Sequence, residues 1–339
     1  MINIWFDGWF SSAYNIISGI RNNPDNKPVK IFGTHYNAMG YEGLCDKWEF
    51  RKDFSEDEKD YDDYEECYSR WALEFCERNK IDIFFPRRYF EIISTYADMF
   101  EYTENGECKK TKIMLPNENL LKILDSKLST MDFISQNGLG DIVPPMSPFV
   151  SVSDVDTMKR HLSLLEFKCN LLCMKPNCST GAEGFRILNY PFDAYKIRDI
   201  LKKGKDGGYV LMPYLDGEEV SVDCLNTKKG LIAIPRIKKN NSRIQEIRLD
   251  KEVLGIVNDI NKLLVNRGLD VPYNIQFKKH FDKLYLLEIN PRMSGGIYLS
   301  NLTGINIPYL AVKQALGEDF DLPKVNEISV CNVERGVII

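Results

Sequence analysis

The segment at residues 274–296, NIQFKKHFDKLYLLEINPRMSGG, has the residue types that a metal-phosphate site needs. Glu288 and Asn290 are two residues apart on a predicted strand, so their side chains leave the same face of that strand. Gln276 lies on the strand before it. A few oxygen ligands, with room left for water and phosphate oxygens, are what Mg²⁺ prefers over a closed protein cage. The segment therefore predicts a magnesium site, and an exposed polar hairpin is the alternative.

The turn between these two strands decides which side chains face each other. A three-residue turn at residues 281–283 would pair His280 with Leu284 and would place Gln276 opposite Glu288. With that register, the oxygen atoms of Gln276, Glu288 and Asn290 would converge on one face of the hairpin.

Two segments supply cations and small residues for phosphate groups. Arg292, just beyond the second strand, can place a forked cation against a phosphate, and the small residues at 294–296 let the backbone approach closely. In MKPNCSTGAEGFRIL (174–188), Lys175 ends an apolar strand, and residues 179–184 can fold over a phosphate and donate backbone hydrogen bonds. This pattern suits a triphosphate, although a surface turn with an extended lysine would leave the same pattern.

The segment VLMPYLDGEEVSVDCL (210–225) contains an interrupted strand. The apolar run breaks at Met212-Pro213, which frees backbone N–H and C=O groups that can read an adenine edge. Glu219 can accept hydrogen bonds from ribose hydroxyls. A plain hairpin is the alternative. Lys127, in LDSKLS, is by itself only a helical surface lysine.

A basic stretch, IPRIKKNNSRIQEIR, covers residues 234–248. We expect Arg236 or Lys238 to face the active-site cleft and to help hold an anionic substrate, because charge-assisted hydrogen bonds suit carboxylates. For Lys239 and Arg243, a solvated loop is the expected location.

The elements that must position these residues begin with alternating strands and helices. Residues 2–6, 29–33 and 81–86 are predicted strands, and residues 11–20 and 64–79 are predicted helices. This alternation indicates a parallel sheet with crossover helices. The turn at Asp7-Gly8 follows the first strand, at the edge where such sheets bind ligands.

The pattern changes near residue 107. A helical stretch at residues 117–138 ends at a glycine and is followed by Pro144-Pro145, a natural break between subdomains. After a predicted helix at 153–165 the chain becomes rich in strands, and a further helix at about 250–267 leads into the hairpin described above.

Composition excludes several classes of protein. The 44 Lys and Arg residues against 49 Asp and Glu give a net charge of −5, which argues against a general nucleic-acid binder. No signal peptide pattern and no apolar run of membrane-spanning length is present, so we expect a cytoplasmic protein without a membrane partner. The nine cysteines contain no CxxC motif, and Cys169, Cys173 and Cys178 are expected to be core thiols. Neither GxxxxGK[ST] nor GxGxxG occurs.

Taken together and in this order, the segments around Lys127, Lys175, Met212 and Glu288 resemble those of the ATP-grasp superfamily. The chain is most similar to the carboxylate–amine ligase branch that includes the carbamoyl phosphate synthetase large chain and biotin carboxylase. The resemblance implies an α/β fold, in which a Rossmann-like pre-ATP-grasp domain (residues 1–105) precedes an α+β ATP-grasp domain (106–320). A lid subdomain at about 140–212 and a carboxyl-terminal tail (321–339) complete this division.

The resemblance also implies roles for individual residues. Magnesium, with manganese as an alternative ion, would be bound by Gln276, Glu288 and Asn290. ATP would be bound by Lys127, Lys175, Ser179, Thr180, Gly181, Gly184, Met212, Pro213, Tyr214, Leu215, Glu219, Gln276 and Glu288. Arg292 would contact the transferred phosphoryl group, and Lys175 is a second candidate catalytic residue. Arg236, from the basic stretch described above, is the third. Many relatives have a glutamate where Met212 stands and an aspartate where Ser126 stands.

The implied function is an ATP-dependent ligase that activates a carboxylate as an acyl phosphate and joins it to an amine. Its partners would be small carboxylate and amine substrates, with amino acids among the candidates, and relatives often form homodimers. One alternative is a phosphotransferase that releases a phosphorylated product. Another is a nucleotide-binding protein without turnover, although the intact set of Gln276, Glu288, Asn290 and Arg292 argues against it.

Overall fold

The structure is a computed structural model that describes residues 1–8, 11–38, 40–52, 54, 64–178, 184–204, 207–238 and 242–331. The strands are β1 (Ile2–Asp7), β2 (Val29–His35), β3 (Lys47–Phe50), β4 (Ile83–Phe85), β5 (Glu101–Glu104), β6 (Glu107–Lys110), β7 (Lys112–Ile113), β8 (Ser147–Pro148), β9 (Leu172–Pro176), β10 (Arg186–Leu188), β11 (Tyr209–Pro213), β12 (Glu219–Thr227), β13 (Gly230–Lys238), β14 (Ile244–Ile247), β15 (Tyr273–His280), β16 (Lys283–Asn290) and β17 (Ile328–Cys331). The α-helices are α1 (Ser11–Arg21), α2 (Tyr64–Asn79), α3 (Phe90–Thr95), α4 (Glu118–Asp125), α5 (Lys127–Ile134), α6 (Asp154–Leu164), α7 (Ala194–Lys203), α8 (Lys251–Val265), α9 (Ile297–Asn301) and α10 (Ile307–Ala315).

The first sheet is parallel and has the strand order β3-β2-β1-β4-β7. Its central strands are apolar on both faces because helices cover both. Ile4 and Phe6 pack with α1 on one face, whereas Trp5 packs with α2 on the other. The alternation of strands and helices that the sequence predicts here is confirmed, and α2 has the predicted bounds.

The first sheet continues past residue 105, where we predicted that the amino-terminal domain ends. Residue 105 lies in the turn of the β5-β6 hairpin, and β7 then pairs with β4. The main-chain hydrogen bonds of β7 therefore assign residues up to Ile113 to the first sheet.

A four-stranded antiparallel sheet, β10-β9-β11-β8, spans residues 147–213, within the region predicted as a lid. Side chains alternate along its strands. Met174 and Leu211 pack against α6 and α7 on one face. Cys173 and Met212 belong to a separate apolar cluster on the opposite face. That second face is directed toward the hairpin of β15 and β16, since Leu287 packs against the same cluster.

The third sheet has six antiparallel strands in the order β16-β15-β12-β13-β14-β17. One face carries Val222, Ile275 and Phe277, which are buried against α8. The other face carries polar side chains and supplies the candidate site. The edge strand β17 comes from the region that we predicted to be a carboxyl-terminal tail, so part of that region is sheet; residues 332–339 lie outside the described residues.

The predicted single helical stretch at residues 117–138 is wrong, because the chain breaks at Ser126. This residue has extended backbone angles, φ −101° and ψ 125°, and separates α4 from α5. Its hydroxyl group accepts a hydrogen bond from the Ser129 amide and so caps α5. The break turns Lys127 inward at the start of a new helix.

The described helices include none with both the length and the apolar character needed to cross a membrane. The nine cysteines are free. Of the three expected to be core thiols, Cys173 is buried, whereas Cys169 and Cys178 are half-buried. Burial raises the pKa of the Cys173 thiol to about 12, which keeps it protonated and unreactive at neutral pH.

Candidate active site

A cavity of about 520 Å³ lies between the four-stranded and six-stranded sheets. Its lining includes these predicted site residues: Lys127, Lys175, Met212, Pro213, Tyr214, Leu215, Glu219, Gln276, Glu288 and Arg292. Asn290 borders a smaller adjoining cavity of about 50 Å³, which Glu288, Arg292 and Lys127 also line. Segments far apart in sequence are therefore brought together around one space of the size that small-molecule ligands occupy.

The β15-β16 hairpin places Gln276 directly opposite Glu288, as predicted, but by a different route. The predicted pairing of His280 with Leu284 is wrong: His280 pairs with Lys283 across a two-residue turn. A β-bulge between Phe277 and Gln276 then shifts the register by one residue. The shorter turn and the bulge offset each other, so the polar side chains still share a face.

The extra residue of this bulge is Leu287, because Phe277 pairs with Leu286 and Gln276 pairs with Glu288. The bulge also explains the change of side-chain direction along β16. Leu286 is fully buried against the apolar face, whereas Glu288, two residues later, borders the cavity. A regular strand would put both side chains on one face.

Three oxygen-bearing side chains on this hairpin fit an Mg²⁺ site. Asn290 donates from its amide nitrogen to Glu288 Oε1 at 2.8 Å, so the two side chains are in contact. Gln276 pairs with Glu288 across the strands and donates to Asn274 Oδ1. Among the described residues, no group of three His, Cys, Asp or Glu side chains could enclose a metal. One carboxylate with two amide oxygens is instead an open donor set, to which phosphate oxygens and water can add.

Lys175 points from β9 into the cavity and contacts the bulge. Its Nζ donates to the backbone carbonyl of Leu287 at 3.5 Å. Burial and then the positive charge of Lys127 lower the pKa of Lys175 to about 8, while Glu288 opposes this shift. A buried ammonium next to a second cation gains most when a polyanion such as a nucleotide phosphate binds.

Lys127 is buried, contrary to the surface position that its local sequence suggests. Both its backbone N–H and its Nζ donate to the carbonyl of Asn177, each at 3.2 Å. Asn177 directly follows β9, and its side chain also bonds Ser126 and the Leu128 amide. The start of α5 is thus tied to the strand that carries Lys175.

The four residues predicted to hold adenine lie at the end of β11 and just beyond it. Met212 and Leu215 are buried with Cys173 and Tyr285 in one apolar cluster beside the cavity. The amide of Tyr214 donates to the carbonyl of Leu171 at 2.8 Å, so this donor is used within the protein. Hydrogen bonds from this segment's backbone to a nucleobase would therefore have to use its other N–H and C=O groups.

Some of the remaining residues predicted to contact the nucleotide lie within the described part of the chain, and others do not. Glu219 begins β12, pairs with Lys238 and Lys278 on the flanking strands, and borders the cavity. Ser179, Thr180 and Gly181 lie outside the described residues. Gly184 has φ +75°, and a Cβ atom there would lie 2.7 Å from Pro176 Cγ, so this position requires glycine.

Arg236 does not line the cavity, contrary to our expectation. It is buried, and its guanidinium group donates to Asp223, Ser221, Ser294 and Gln245. The Nη2–Ser294 Oγ distance is 2.9 Å, which connects this buried group to the loop after Arg292. Its neighbour Lys238 is exposed at the end of β13. Among the described residues, Arg236 is therefore hydrogen-bonded to the cavity wall only through Ser294.

Arg292 lies in the wall shared by both cavities. It donates through Nη1 to the Met293 carbonyl and through Nη2 to Asn290 Oδ1, at 3.1 and 3.3 Å. Burial lowers the pKa of this guanidinium, and the charge of Glu288 opposes that shift. These contacts aim the forked cation at the space next to Glu288.

Sequence reasoning gave no role in the site to four residues that line the cavity: Cys173, Phe185, Lys278 and Leu287. The alternation of β15 could have identified Lys278, since it is two residues from Gln276 and shares its face. No local signal marks Leu287, because its role depends on a bulge. Asn177 was likewise missed, and only its tertiary contacts reveal it.

Comparison with known proteins links this geometry to a family. The family profile described as "ATP-grasp in the biosynthetic pathway with Ter operon" matches residues 206–335. The carbamoyl phosphate synthase large chain of Clostridium perfringens is 26% identical over 162 residues, which cover 43% of this chain and 15% of that protein. That of Lachnoclostridium phytofermentans is 28% identical over 160 residues, with the same shares. The chain therefore spans a small part of the length of these relatives.

Solved structures match nearly the whole chain. Biotin carboxylase from Campylobacter jejuni has a TM-score of 0.68 at 15% identity, and the match covers 95% of this chain and 72% of the biotin carboxylase chain. N5-carboxyaminoimidazole synthetase from Staphylococcus aureus has a TM-score of 0.67 at 12% identity, covering 94% and 78%. An L-amino acid ligase from Bacillus licheniformis has a TM-score of 0.62 at 15% identity, covering 93% and 74%. At these identities the likeness establishes a shared fold.

Proposed function

The chain has an ATP-grasp domain homologous to that of the carbamoyl phosphate synthase large chain, and on that premise we propose that it is an ATP-dependent carboxylate–amine ligase. The observation that carries this proposal is the convergence of Lys127, Lys175, Gln276, Glu288 and Arg292 around one cavity. Two ammonium groups, a guanidinium and an oxygen donor set are what a metal-bound triphosphate requires.

The distribution of apolar and charged lining residues favours one orientation of ATP. The adenine would lie in the apolar end, against Met212 and Leu215, and Glu219 would accept hydrogen bonds from the ribose. The phosphates would then extend toward Lys175 and Lys127. Phe185 supports the apolar end, since its ring lies 6.3 Å from that of Tyr214. This orientation puts the γ-phosphate beside Arg292.

The ion would be held by Gln276, Glu288 and Asn290. Bound Mg²⁺ would supply positive charge to the phosphate oxygens, with Mn²⁺ as an alternative ion. The chain's own contribution is positioning: Arg292 is held by Asn290 and by the Met293 carbonyl, and Lys175 by the Leu287 carbonyl. These fixed cations stabilise negative charge on the transferred phosphoryl group.

The chemistry follows from the poor reactivity of a carboxylate. A carboxylate oxygen attacks the γ-phosphorus of ATP, and ADP leaves with the electron pair of the broken P–O bond. The amine then attacks the carbonyl carbon of the acyl phosphate, and inorganic phosphate leaves. No protein nucleophile is required, because Lys175, Lys127 and Arg292 act by positioning and electrostatic stabilisation.

We further propose amino acids as candidate carboxylate and amine substrates, a cytoplasmic location and a homodimeric assembly. ATP and free cysteines both fit a reducing compartment. The biotin carboxylase domain of a 2-oxoglutarate carboxylase from Hydrogenobacter thermophilus, a solved structure with the same fold, is a dimer. Sedimentation analysis of the purified chain would test the assembly.

The decisive experiment is a coupled assay with Mg-ATP and paired panels of carboxylates and amines. A ligase releases ADP and phosphate only when both partners are present. ADP release with a stable phosphorylated acceptor and no amine requirement would favour a phosphotransferase, and ATP binding without turnover would favour a non-catalytic protein.

Variants test the site itself. Glu288→Gln and Lys175→Gln should each lower turnover by at least about 100-fold, the cost of losing one group that stabilises transition-state charge. Glu74→Gln and Lys196→Gln change exposed residues on α2 and α7 and should leave turnover within about twofold of the wild type. Unchanged turnover in both site variants would overturn the assignment.

A further inference from the structure

The carboxyl edge of the first sheet contains a second group of cations that the proposed ATP site does not use. The strand order β3-β2-β1-β4 places β4 on the opposite side of β1 from β2 and β3, so the topology switches between β1 and β4. Ligands of open α/β sheets bind beyond the carboxyl ends of strands at such a point. Here Gly8 follows β1, and Arg87 and Arg88 follow β4.

Gly8 lies between these strand ends. It has φ +67°, a conformation that favours glycine, and a Cβ atom there would lie 3.8 Å from Arg87 Cβ and 4.0 Å from Arg88 Nε. The ring of His35, at the end of β2, would be 3.5 Å away. The two arginines and His35 thus surround the glycine.

Arg88 is held in place by an aromatic side chain. Its Nη2 donates to the Tyr36 hydroxyl at 3.0 Å, and its guanidinium carbon lies 5.1 Å from the centroid of the Tyr36 ring. His35 stacks on the same ring at 4.1 Å. A fixed guanidinium loses little further freedom when it binds an anion, which favours affinity.

The buried carboxylate at this edge, Asp7, already accepts hydrogen bonds within the protein. Asp7 accepts hydrogen bonds from Arg51, Tyr68 and Thr34 and is completely buried. Arg51 in turn lies within 6 Å of the rings of Tyr36, Phe54, Tyr68 and Trp71. The Asp7 charge is therefore balanced by Arg51 within this cluster.

Arg87 links this edge to the ATP site. Burial, followed by the positive charges of Arg292 and Arg88, lowers the pKa of the Arg87 guanidinium to about 10. Phe85 and Pro86, which directly precede it, line the 50 Å³ cavity together with Arg292. The positive charges of Arg292 and Arg88 thus both act on Arg87, and an anion bound beside Arg87 would relieve this repulsion.

The backbone at this point is strained as well. Tyr89, directly after Arg88, has φ 54° and ψ 41°, the left-handed region that bulky residues rarely adopt. Its ring lies 4.6 Å from that of Tyr68. Such strain is concentrated at ligand-binding sites, where it fixes the direction of neighbouring side chains.

We propose that Arg87 and Arg88, around Gly8 at the switch between β1 and β4, bind an anionic group of the substrate that is not the group phosphorylated. The reacting carboxylate of the same substrate would lie at Arg292. The anion site at Arg87 and Arg88 is inferred from the geometry of the strand ends alone. The placement of the reacting carboxylate at Arg292 rests on the proposed function. It predicts a substrate with a second negative charge, carried by a carboxylate or by a phosphate.

Binding is measured by calorimetry on the full chain without nucleotide, at constant ionic strength, with succinate and inorganic phosphate as separate probes. We expect saturable binding of at least one probe, and the preferred probe identifies the anionic group. Arg87→Gln and Arg88→Gln should each weaken that binding at least about tenfold, the effect of losing a charge-assisted hydrogen bond. Arg87→Lys keeps the positive charge but loses the paired N–H donors of the guanidinium, so it should bind the probe with intermediate affinity. Binding by this variant would also show that the site still folds when Arg87 is replaced.

Two controls separate this inference from the proposed function. Arg160→Gln, at an exposed arginine of α6, should bind both probes as the wild type does. Lys175→Gln should weaken Mg-ATP binding but not probe binding, whereas Arg87→Gln should do the reverse. The inference is overturned if neither probe saturates the wild type, or if Arg87→Gln and Arg88→Gln bind the probe unchanged. Unchanged Mg-ATP binding in Lys175→Gln would count against the ATP site only.

Discussion

Lys175 Nζ lies 3.5 Å from the backbone carbonyl oxygen of Leu287, the extra residue of the β-bulge in β16. The lysine belongs to the four-stranded sheet and the bulge to the six-stranded sheet, so this hydrogen bond joins the two walls of the cavity. The same bulge turns Glu288 toward the cavity. One local irregularity thus orients both the candidate phosphate-binding cation and the candidate metal ligand.

The depressed pKa of Lys175, about 8, predicts that Mg-ATP affinity falls as pH rises. The empty protein loses the Lys175 proton above pH 8, whereas bound phosphates favour the charged form, so affinity should fall about tenfold between pH 7 and pH 9. Calorimetry should also detect proton uptake on binding at pH 8–9. Lys175→Gln should lack this dependence, and an identical pH slope in that variant would contradict the prediction.

The lowered pKa of Lys175 also makes the stability of the empty protein depend on pH, and in the opposite direction from its nucleotide affinity. Because the folded-state pKa lies below the ordinary value of 10.5, burial of the charged lysine opposes folding below pH 8. That unfavourable contribution is relieved as pH rises from 8 toward 10.5. Loss of nucleotide affinity above pH 8 would therefore not reflect loss of folding through this group.

The two adjacent glycines after Ser294 should respond differently to alanine. A Cβ atom at Gly296 would lie 2.4 Å from Arg236 Nη1, whereas at Gly295 no atom lies within 4 Å. Gly296→Ala should therefore lower the free energy of unfolding by about 1–3 kcal/mol, the usual cost of overpacking. Gly295→Ala should change it by less than about 0.5 kcal/mol. Urea titrations of both variants test this, and equal stabilities would show that Arg236 moves aside freely.

Removing the guanidinium of Arg236 should destabilise the protein strongly. Asp223 is buried and accepts from Arg236 Nε at 3.1 Å, so Arg236→Met leaves an uncompensated carboxylate and should cost about 3–5 kcal/mol. Arg70→Met, at the exposed pair with Glu66, should cost less than about 1 kcal/mol.

A double variant isolates the interaction between Arg236 and Asp223. Asp223→Asn removes the charge, so the combined change with Arg236→Met should cost less than the sum of the two single changes. Chemical unfolding of all four proteins gives the coupling free energy. Additive costs would mean that the buried ion pair does not hold this part of the sheet.

Ser126→Ala should weaken both folding and nucleotide binding. The Ser126 hydroxyl caps α5 and bonds Asn177, so its loss should cost about 1 kcal/mol and should loosen the backbone at Lys127. Ser126→Asp keeps an oxygen cap and should retain wild-type stability. Thermal unfolding and Mg-ATP titration of both variants check this, and a wild-type result for Ser126→Ala would exclude a role for the cap.

Local pattern in the sequence determined much of this protein. Apolar runs and alternating strands predicted β1, β2 and α2, because each reflects burial of one face or of both. The spacing of Glu288 and Asn290 placed both on one face of a strand, since side chains alternate with a period of two. The order of the motif segments was sufficient to predict the fold.

Tertiary structure decided the rest, because the deciding contacts join residues far apart in the chain. Lys127 is buried only because Asn177, 50 residues later, accepts its hydrogen bonds. Arg236 is directed away from the cavity because Asp223 on the neighbouring strand compensates its charge. The bulge at Leu287 and the effect of the Arg292 charge on Arg87 depend likewise on packing between distant segments. Sequence periodicity fixes which face a side chain leaves, but only packing fixes which partner it meets there.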